Sequence, residues 1–261
     1  MPELPDVENF RRYMEQHAMK QVVSQVRVTD DRILADISAD QLQERMAGNQ
    51  FVSTRRHGKY LLAKMSSGGW VVFHFGMTGF FVYGASADAY PRHARAVLIF
   101  ENNDFLAFDC QRLLGRLTWT ESAEDYIAAQ KLGPDALEQD FKSFADKVAS
   151  GARTMVKSAL MNQERVAGIG NVYSDEILFQ ARIHPKTPIS RLDENHLERL
   201  YQAMRDALNT AIECGAVPEK FPADYLLPHR SEGDACPVCG GRIQKIKISG
   251  RTAYMCEKCQ V

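Results

Sequence analysis

The period of the hydrophobic positions changes twice along the chain. Within residues 6–19 apolar side chains recur at helical spacing, which predicts a first helix. Between about 20 and 120 they come in short or alternating runs separated by Gly, Asn, Asp and Ser, which predicts a mostly antiparallel β region, a sandwich or flattened barrel. From about residue 150 the helical period returns, and it closes on Gly215.

Shorter signals refine this outline. Residues 38–48 predict a helix with Ser38 or Asp40 as its N-cap and Gly48 as its stop. Residues 121–149 are charged and rich in alanine, and they predict a connector with short helices. The predicted strands lie in the runs QVVSQVRVT, KYLLAKM, GWVVFHFGMTGFFVYG, RAVLIFE, DFLAFDC and RLTWT.

Length and composition limit the number of domains and the classes of protein to which the chain can belong. The chain has 261 residues, 45% of them hydrophobic, which is enough for one large domain or two ordinary ones. Its formal net charge of -1 does not indicate a nucleic-acid binder, although such an average hides a local basic patch. No stretch approaches about 18 apolar residues, and the start lacks a secretion signal, so we expect a cytoplasmic protein without a membrane span.

Four of the six cysteines form two C-x2-C pairs near the end of the chain, Cys236 with Cys239 and Cys256 with Cys259. In a cytosolic chain this spacing predicts one structural Zn2+ site with four thiolate ligands rather than two disulfides. The residues between the pairs alternate around a Ser-Gly turn, which predicts a β-hairpin.

Charge suggests that this hairpin meets an anion. Residues 230–261 carry six Lys and Arg residues against three acidic ones, a net charge of +3 that leaves -4 for the rest of the chain. A basic hairpin suits a phosphate backbone, and Arg251 at its tip is the side chain we expect to enter a groove. In the alternative, the zinc only holds the chain end together and Arg251 is solvated.

A Gly-x-Gly turn at Gly168 and Gly170 separates two predicted helices. Asn171 is the predicted cap of the second helix, whose exposed N–H groups favour an anion. Lys157, one helix earlier, offers a matching positive charge. The alternative is a tight helix–helix turn with no ligand.

Together these features resemble the formamidopyrimidine-DNA glycosylase/endonuclease VIII family of base-excision repair enzymes, and the formamidopyrimidine-DNA glycosylase branch more closely. The likeness covers nearly the whole chain and keeps the family's motif order. The motifs are PELPDVE at 2–8, RRHGKYLL at 55–62, FHFGMTG at 73–79, NQERVAGIGNVYSDEILF at 162–179 and the C-terminal CPVCGG…GRTAYMCEKCQ.

The resemblance implies an α+β fold with two domains, an antiparallel β-sandwich with flanking helices and a helix-two-turn-helix domain that carries a zinc-finger β-hairpin. It also implies a monomer that binds damaged double-stranded DNA in the cleft between the two halves. The expected divisions are 1–121 for the catalytic sandwich, 122–149 for the connector, 150–229 for the helix-two-turn-helix domain and 230–261 for the finger.

The resemblance also assigns the chemistry. Pro2, exposed by removal of Met1, matches the nucleophile that attacks C1′ and forms a Schiff base, and β- and δ-elimination follow. A free α-amino group has a reference pKa of about 8, so a modest downward shift leaves a useful neutral fraction. Glu3 matches the general acid at the sugar ring oxygen, and Lys59 matches a catalytic lysine that contacts phosphate.

Other matching residues hold the opened DNA. Met77 matches the wedge that fills the gap left by the flipped nucleotide, and Arg112 matches the arginine that faces the orphaned base. Leu114 stands where the guanine-repair branch has a second, aromatic wedge. The residues matched to DNA binding are Lys157, Asn171, Arg251 and His93.

Three departures concern the lesion. Asp6 replaces a usual glutamate, Leu114 replaces a phenylalanine, and the segment between Gly215 and Cys236 looks short for the loop that covers 8-oxoguanine. The PELP start favours oxidised purines, namely 8-oxoguanine and formamidopyrimidines. The alternatives are a preference for oxidised pyrimidines or hydantoins and, in another class, a lesion-binding protein without catalysis.

Overall fold

The fold is described from a computed structural model, which describes residues 1–86, 89–151 and 153–261. The chain divides into two compact units. The first comprises Met1–Pro2 and Asp6–Gln130, and the second comprises Glu3–Pro5 and Lys131–Val261. Within the described residues, no helix has the length and apolar character needed to cross a membrane.

The first unit is built on two antiparallel sheets of four strands each, as far as the chain is described. One sheet has the order β1-β6-β7-β5 and the other β2-β3-β4-β8. The strands are β1 Val23–Val28, β2 Phe51–His57, β3 Tyr60–Met65, β4 Trp70–His74, β5 Gly79–Gly84, β6 Ala94–Phe100, β7 Phe105–Cys110 and β8 Arg116–Thr120. The predicted runs all contain strands, whereas β2 lies outside them.

Both sheets contribute to one core, which makes the unit a sandwich. Phe73 lies in β4 and Phe75 directly follows that strand. Their rings lie 5.0 and 5.1 Å from the ring of Phe81 in β5. Phe108 in β7 closes the cluster at 5.6 Å from Phe75. Such tilted and edge-to-face aromatic contacts fix the two sheets face to face.

Helices flank the sandwich. The helix α1 covers Leu4–His17, so it begins two residues before the predicted start. The helix α2 covers Ala39–Met46 with Ser38 as its N-cap, and Ser38 and Gln41 form a capping box, which settles the choice between the two predicted caps. The helix α3 covers Ala123–Ala129.

The second unit is mainly helical. Its core joins apolar residues of the helices with Leu4, all of them buried. The helices are α4 Phe141–Ala149, α5 Val156–Leu160, α6 Asn171–Gln180 and α7 Glu194–Glu213. The chain ends in the predicted hairpin, where β9 Ile243–Ile248 pairs with β10 Arg251–Cys256 around Ser249 and Gly250. The predicted two-domain α+β fold is confirmed.

Candidate active site

The carboxylate of Glu3 is clamped by the start of α6. Glu3 is fully buried, and its Oε2 accepts hydrogen bonds from the N–H groups of Gly170 at 2.6 Å and Tyr173 at 3.3 Å. Its Oε1 accepts one from Val172 at 2.8 Å. The first N–H groups of a helix have no partner within the helix, so this anion both satisfies them and meets the positive end of the helix dipole.

The clamp corrects the predicted role of Asn171 as a cap. The helix begins at Asn171 itself, and its N-cap is Gly170, which has no side chain to offer. The sequence pattern predicted a ligand anion at these N–H groups. The anion is a carboxylate of the same chain, supplied from a distance of almost 170 residues.

The two glycines of the turn make room for the N-terminal residues. A Cβ on Gly170 would lie 2.3 Å from Cδ of Glu3, and a Cβ on Gly168 would lie 2.6 Å from Cδ1 of Leu4. Gly168 also has a φ of +116°, and its carbonyl accepts a hydrogen bond from the N–H of Leu4. The Gly-x-Gly spacing is therefore explained by the docking of residues 3 and 4.

The proposed nucleophile directly precedes this clamp. Pro2 is half-buried, and Met1, which blocks its nitrogen in the full chain, is 54% exposed. Lys59 lies in the two-residue turn that joins β2 to β3, after Gly58 with a φ of +56°. A lysine in a tight turn is carried on two hydrogen-bonded strands, which restricts the position of its backbone.

The two predicted wedge loops form one assembly. The hydroxyl oxygen of Thr78 accepts a hydrogen bond from the N–H of Arg112 at 3.3 Å. Gly76 packs directly on the backbone of Leu114. The side chains of Met77 and Leu114 are 39% and 42% exposed, which is unusual for large apolar residues and suits groups that insert into DNA.

The half-buried His93 directly precedes β6 and is tied to the neighbouring strand β7. Its carbonyl accepts the N–H of Cys110 at 2.9 Å, and its Nδ1 lies 3.4 Å from Nη2 of Arg95. The adjacent Asp109 carboxyl is buried, and burial raises its pKa although His93 and Arg95 oppose the shift. The role of His93 in DNA binding stays a prediction.

Lys157 is not an exposed cation. Its side chain is 1% exposed, and its Nζ donates to Asp175 at 2.7 Å, to Oγ of Ser174 at 2.7 Å and to the carbonyl of Asn171 at 3.1 Å. Burial lowers the pKa of Lys157, and the Asp175 carboxylate opposes that shift. The ammonium therefore braces the first turn of α6.

Arg251 is exposed and begins β10. A pocket of about 220 Å³ lies between α5 and the hairpin turn, with Lys157, Arg251 and Asn162 in its lining. The structure thus brings together three of the predicted DNA-binding residues, because Lys157 also contacts Asn171.

The four predicted zinc ligands cluster. Their Sγ atoms all lie within 4.8 Å of one another, with 3.7 Å between Cys236 and Cys259 and 3.5 Å between Cys239 and Cys256. Four thiolates at the usual Zn–S distance of about 2.3 Å stand about 3.8 Å apart in a tetrahedron, so this donor set fits one Zn2+. The finger is a structural zinc site.

Comparison with known proteins decides the family. Residues 1–117 match the formamidopyrimidine-DNA glycosylase N-terminal domain, 132–221 match the H2TH domain of the same enzymes, and 233–261 match the zinc finger found in FPG and IleRS. Relatives named formamidopyrimidine-DNA glycosylase, from Pelotomaculum thermopropionicum and a Synechococcus strain, are 32% and 34% identical. Each alignment covers 100% of this chain and 99% of the relative.

The chain belongs to the formamidopyrimidine-DNA glycosylase family. Solved structures agree, since Lactococcus lactis Fpg in complexes with DNA containing Fapy-dG or an abasic site matches with a TM-score of 0.89 at 28% identity, over 99% of both chains. Family members are DNA N-glycosylases with AP lyase activity, so the predicted enzyme class is confirmed.

In this glycosylase, His74 is a candidate residue that we did not predict individually, although it lies within the FHFGMTG motif. Its Nδ1 accepts the N–H of Gly76 at 3.3 Å, and its ring lies 4.9 Å from that of Tyr60, next to Lys59. Burial, with Lys59 and Arg116 nearby, lowers the pKa of His74 to about 4. A neutral imidazole at pH 7 thus holds the start of the wedge loop.

We expect His74 to make the stability of the glycosylase depend on pH. Between about pH 4 and 6.5 the folded state binds fewer protons at His74 than the unfolded state. The stability that it contributes is therefore full above pH 6.5 and is lost as the pH falls to 4, by on the order of 3 kcal/mol. Urea unfolding of the protein and of His74→Asn, which cannot titrate, should diverge in this window; parallel curves would contradict the prediction.

Gly76→Ala should disrupt the wedge assembly. Gly76 has a φ of +61°, and a Cβ there would lie 2.4 Å from the carbonyl carbon and oxygen of Leu114. Strain plus the clash should cost about 2 kcal/mol or more. The control is Gly68→Ala, with a φ of +96° but open space around the Cβ, which should cost about 1 kcal/mol. Equal losses in denaturant unfolding would show that the loops do not depend on this contact.

Proposed function

We propose that this chain excises oxidised purines, namely 8-oxoguanine and formamidopyrimidines, from double-stranded DNA and then cleaves the strand, with Pro2 as nucleophile. The observation that carries the proposal is the clamp on Glu3. A fully buried carboxylate with three backbone donors has a fixed position, and it directly follows the residue that becomes the amino terminus when Met1 is removed.

The chemistry follows from these two groups. The lone pair of the Pro2 nitrogen attacks C1′ while the glycosidic bond breaks, and the base leaves with the bonding electrons and takes up a proton. The attack leaves a proton on the Pro2 nitrogen, and the Glu3 carboxylate takes it up. Glu3 then acts as the general acid and gives this proton to the ring oxygen as the ring opens, and the nitrogen lone pair forms the iminium with C1′. Lys59 stabilises the neighbouring phosphate.

The iminium then acts as an electron sink. Loss of a proton from C2′ expels the phosphate on the 3′ side, and loss of a proton from C4′ expels the one on the 5′ side. Water hydrolyses the remaining imine and frees Pro2 for another cycle. We propose that Met77, Arg112 and Leu114 fill the gap left by the target nucleotide.

DNA contacts come from both units in this proposal. Asn171 and Arg251 contact phosphate directly, His93 contributes from the sheet, and the buried Lys157 supports Asn171 through its carbonyl. We also propose that the enzyme is a monomer of the cytoplasm, since chromosomal DNA is its substrate, with functional divisions at 1–121, 122–149, 150–229 and 230–261.

Two features of the chain favour a second candidate activity. Leu114 presents an exposed aliphatic group where the guanine-repair branch has an aromatic ring, and Asp6 shortens a carboxylate near the nucleophile. An enzyme of this kind would prefer oxidised pyrimidines or hydantoins, as endonuclease VIII does. Single-turnover excision on duplexes with single defined lesions separates the two, and faster removal of thymine glycol than of 8-oxoguanine would favour the second.

Borohydride trapping tests the catalytic proposal. Protein with Met1 removed should give a covalent adduct with abasic DNA, and Pro2→Gly or a form that retains Met1 should not. Mass spectrometry of the N-terminal peptide confirms the processing and locates the adduct. Correctly processed protein that binds the DNA without an adduct would instead support a lesion-binding protein without catalysis.

A further inference from the structure

Arg230 connects the finger to α6 through two kinds of contact. Its Nε and Nη2 donate to Oδ2 of Asp175 at 2.9 and 2.7 Å. Its Cζ lies 4.7 Å from the centre of the Tyr254 ring in β10. The edge of the Arg230 guanidinium thus pairs with Asp175 of α6, and its face stacks on Tyr254 of the finger. A lysine cannot make both contacts.

Asp175 depends on its partners. The carboxylate is fully buried, with Lys157 on Oδ1 at 2.7 Å and Arg230 on Oδ2. A buried charge is tolerated only when it is paired and hydrogen-bonded. Lys157, Asp175 and Arg230 therefore form one network whose hydrogen bonds fix their relative positions. Nη2 of Arg230 also lies 3.4 Å from the carbonyl of Asn171, at the start of the helix.

The backbone that leads to Arg230 is fixed by the same helix. Glu176, the residue after Asp175, is fully buried, and its carboxyl oxygens accept the N–H groups of Leu226 at 3.1 Å and Leu227 at 2.8 Å. Leu226 and Leu227 are therefore docked on α6 at a defined point, and Arg230 follows three residues after Leu227.

The contacts at the other end of the finger are weaker. Oγ of Ser249 lies 3.1 Å from Oγ of Ser158, and Nη1 of Arg251 lies 3.9 Å from the sulfur of Met161, both among exposed groups. Apolar packing of Phe179 against Cys236 and Cys256 brings finger and helix together, but such packing is not directional. Hydrogen bonds from Gln260 to the carbonyl of Ile183 at 3.0 Å and from the N–H of His184 to the carbonyl of Val261 at 3.3 Å hold the end of the chain. On the side that faces the start of α6, the ion pair and the stacked ring supply the direction.

We propose that Arg230 is a positioning residue that sets the finger, and with it Arg251, relative to the start of α6, so that Arg251 and Asn171 meet the same DNA backbone. This inference rests on the proposed function. It assigns to Arg230 no contact with DNA, which separates it from a phosphate ligand.

A double-mutant cycle tests this role. Equilibrium binding to a duplex with a tetrahydrofuran abasic analogue is measured for the protein, Arg251→Ala, Arg230→Met and the double variant over a range of salt. Arg251→Ala alone should weaken binding about tenfold and lower the salt slope by about one. When Arg251→Ala is added to Arg230→Met, affinity should fall by less than about twofold, and the salt slope should equal that of Arg230→Met alone. The reason is that the two sites are coupled.

Three controls make the outcome decisive. Zinc content should stay at one ion per chain in every variant, and Arg242→Met, which removes an exposed finger arginine, measures the effect of charge alone. Arg230→Lys, which keeps the charge without the planar fork, should fall between the protein and Arg230→Met, and it replaces Arg230→Met in the cycle if that variant loses zinc.

Equal costs of Arg251→Ala in both backgrounds would overturn the inference. A double variant whose salt slope falls by about two would also overturn it, because Arg230 would then be a phosphate ligand itself. Failure of the unsubstituted protein to bind this duplex would overturn the proposed function instead, and the inference with it.

Discussion

Replacing Glu3 with glutamine should slow base excision by about 10²- to 10⁴-fold, the range expected when a general acid is lost. Glutamine offers one acceptor oxygen where the carboxylate uses two, so its NH2 group would face a backbone donor at Gly170 or Val172. The change removes the group that takes up the proton and passes it on, and it also loosens the clamp. Single-turnover excision of a formamidopyrimidine lesion measures the effect.

Position can be separated from protonation at the same site. Gly170→Ala keeps the carboxylate but places a Cβ 2.3 Å from Cδ of Glu3, so it should displace the group and slow excision by at least about tenfold. The matched control is Gly215→Ala, with a φ of +65° and no atom near the Cβ, which should alter stability alone. If Gly170→Ala excises at the normal rate, the clamp does not position Glu3 for catalysis.

The strands that could be predicted are those whose side chains are mostly apolar. β6 and β7 are buried along nearly their whole length and appear in the sequence as continuous apolar runs. β2 is buried at its two ends but exposed or half-buried at the four positions between them, Val52 to Arg55. Alternation of period two is absent there, so its pairing with β3 is visible only in the structure.

The clamp could be predicted only in part. The glycines and the helix start indicated an anion, but the choice of Glu3 depends on a contact between residues almost 170 positions apart. No local pattern specifies such a contact, because the helix end is satisfied equally by a bound phosphate and by a carboxylate of the chain.

The buried polar and charged residues of α6 are the feature that is hardest to predict from the sequence. Ser174, Asp175 and Glu176 are all buried within α6, so this helix has no polar face from which to recognise its exposed side. Burial raises the pKa of Glu176 to about 7, against the opposing hydrogen bonds from Gln180, Leu226 and Leu227. Two adjacent acids directly before an apolar run are a sequence signal for such a network. Lys157 and Arg230, the partners of Asp175, are fixed by tertiary structure.

Replacing Cys256 with serine should abolish the finger as a folded element. A structural zinc site supplies about 10 to 16 kcal/mol of apparent binding free energy, whereas an isolated two-stranded sheet such as β9–β10 is marginal in water. We expect zinc content to fall from one ion per chain towards zero. Affinity for abasic-analogue DNA should fall at least about tenfold, because the finger's phosphate contact is lost.

Cys214→Ser is the matched control for that experiment. The Sγ of Cys214 donates to the carbonyl of Lys220 at 3.1 Å, and a serine hydroxyl can make the same bond, so zinc content and DNA affinity should both be unchanged. The comparison also separates the finger from the chemistry, because Pro2 and Glu3 remain in place in both variants. Full affinity in a Cys256→Ser protein that lacks zinc would show that DNA is held without the finger, and the phosphate contact assigned to Arg251 would then be wrong.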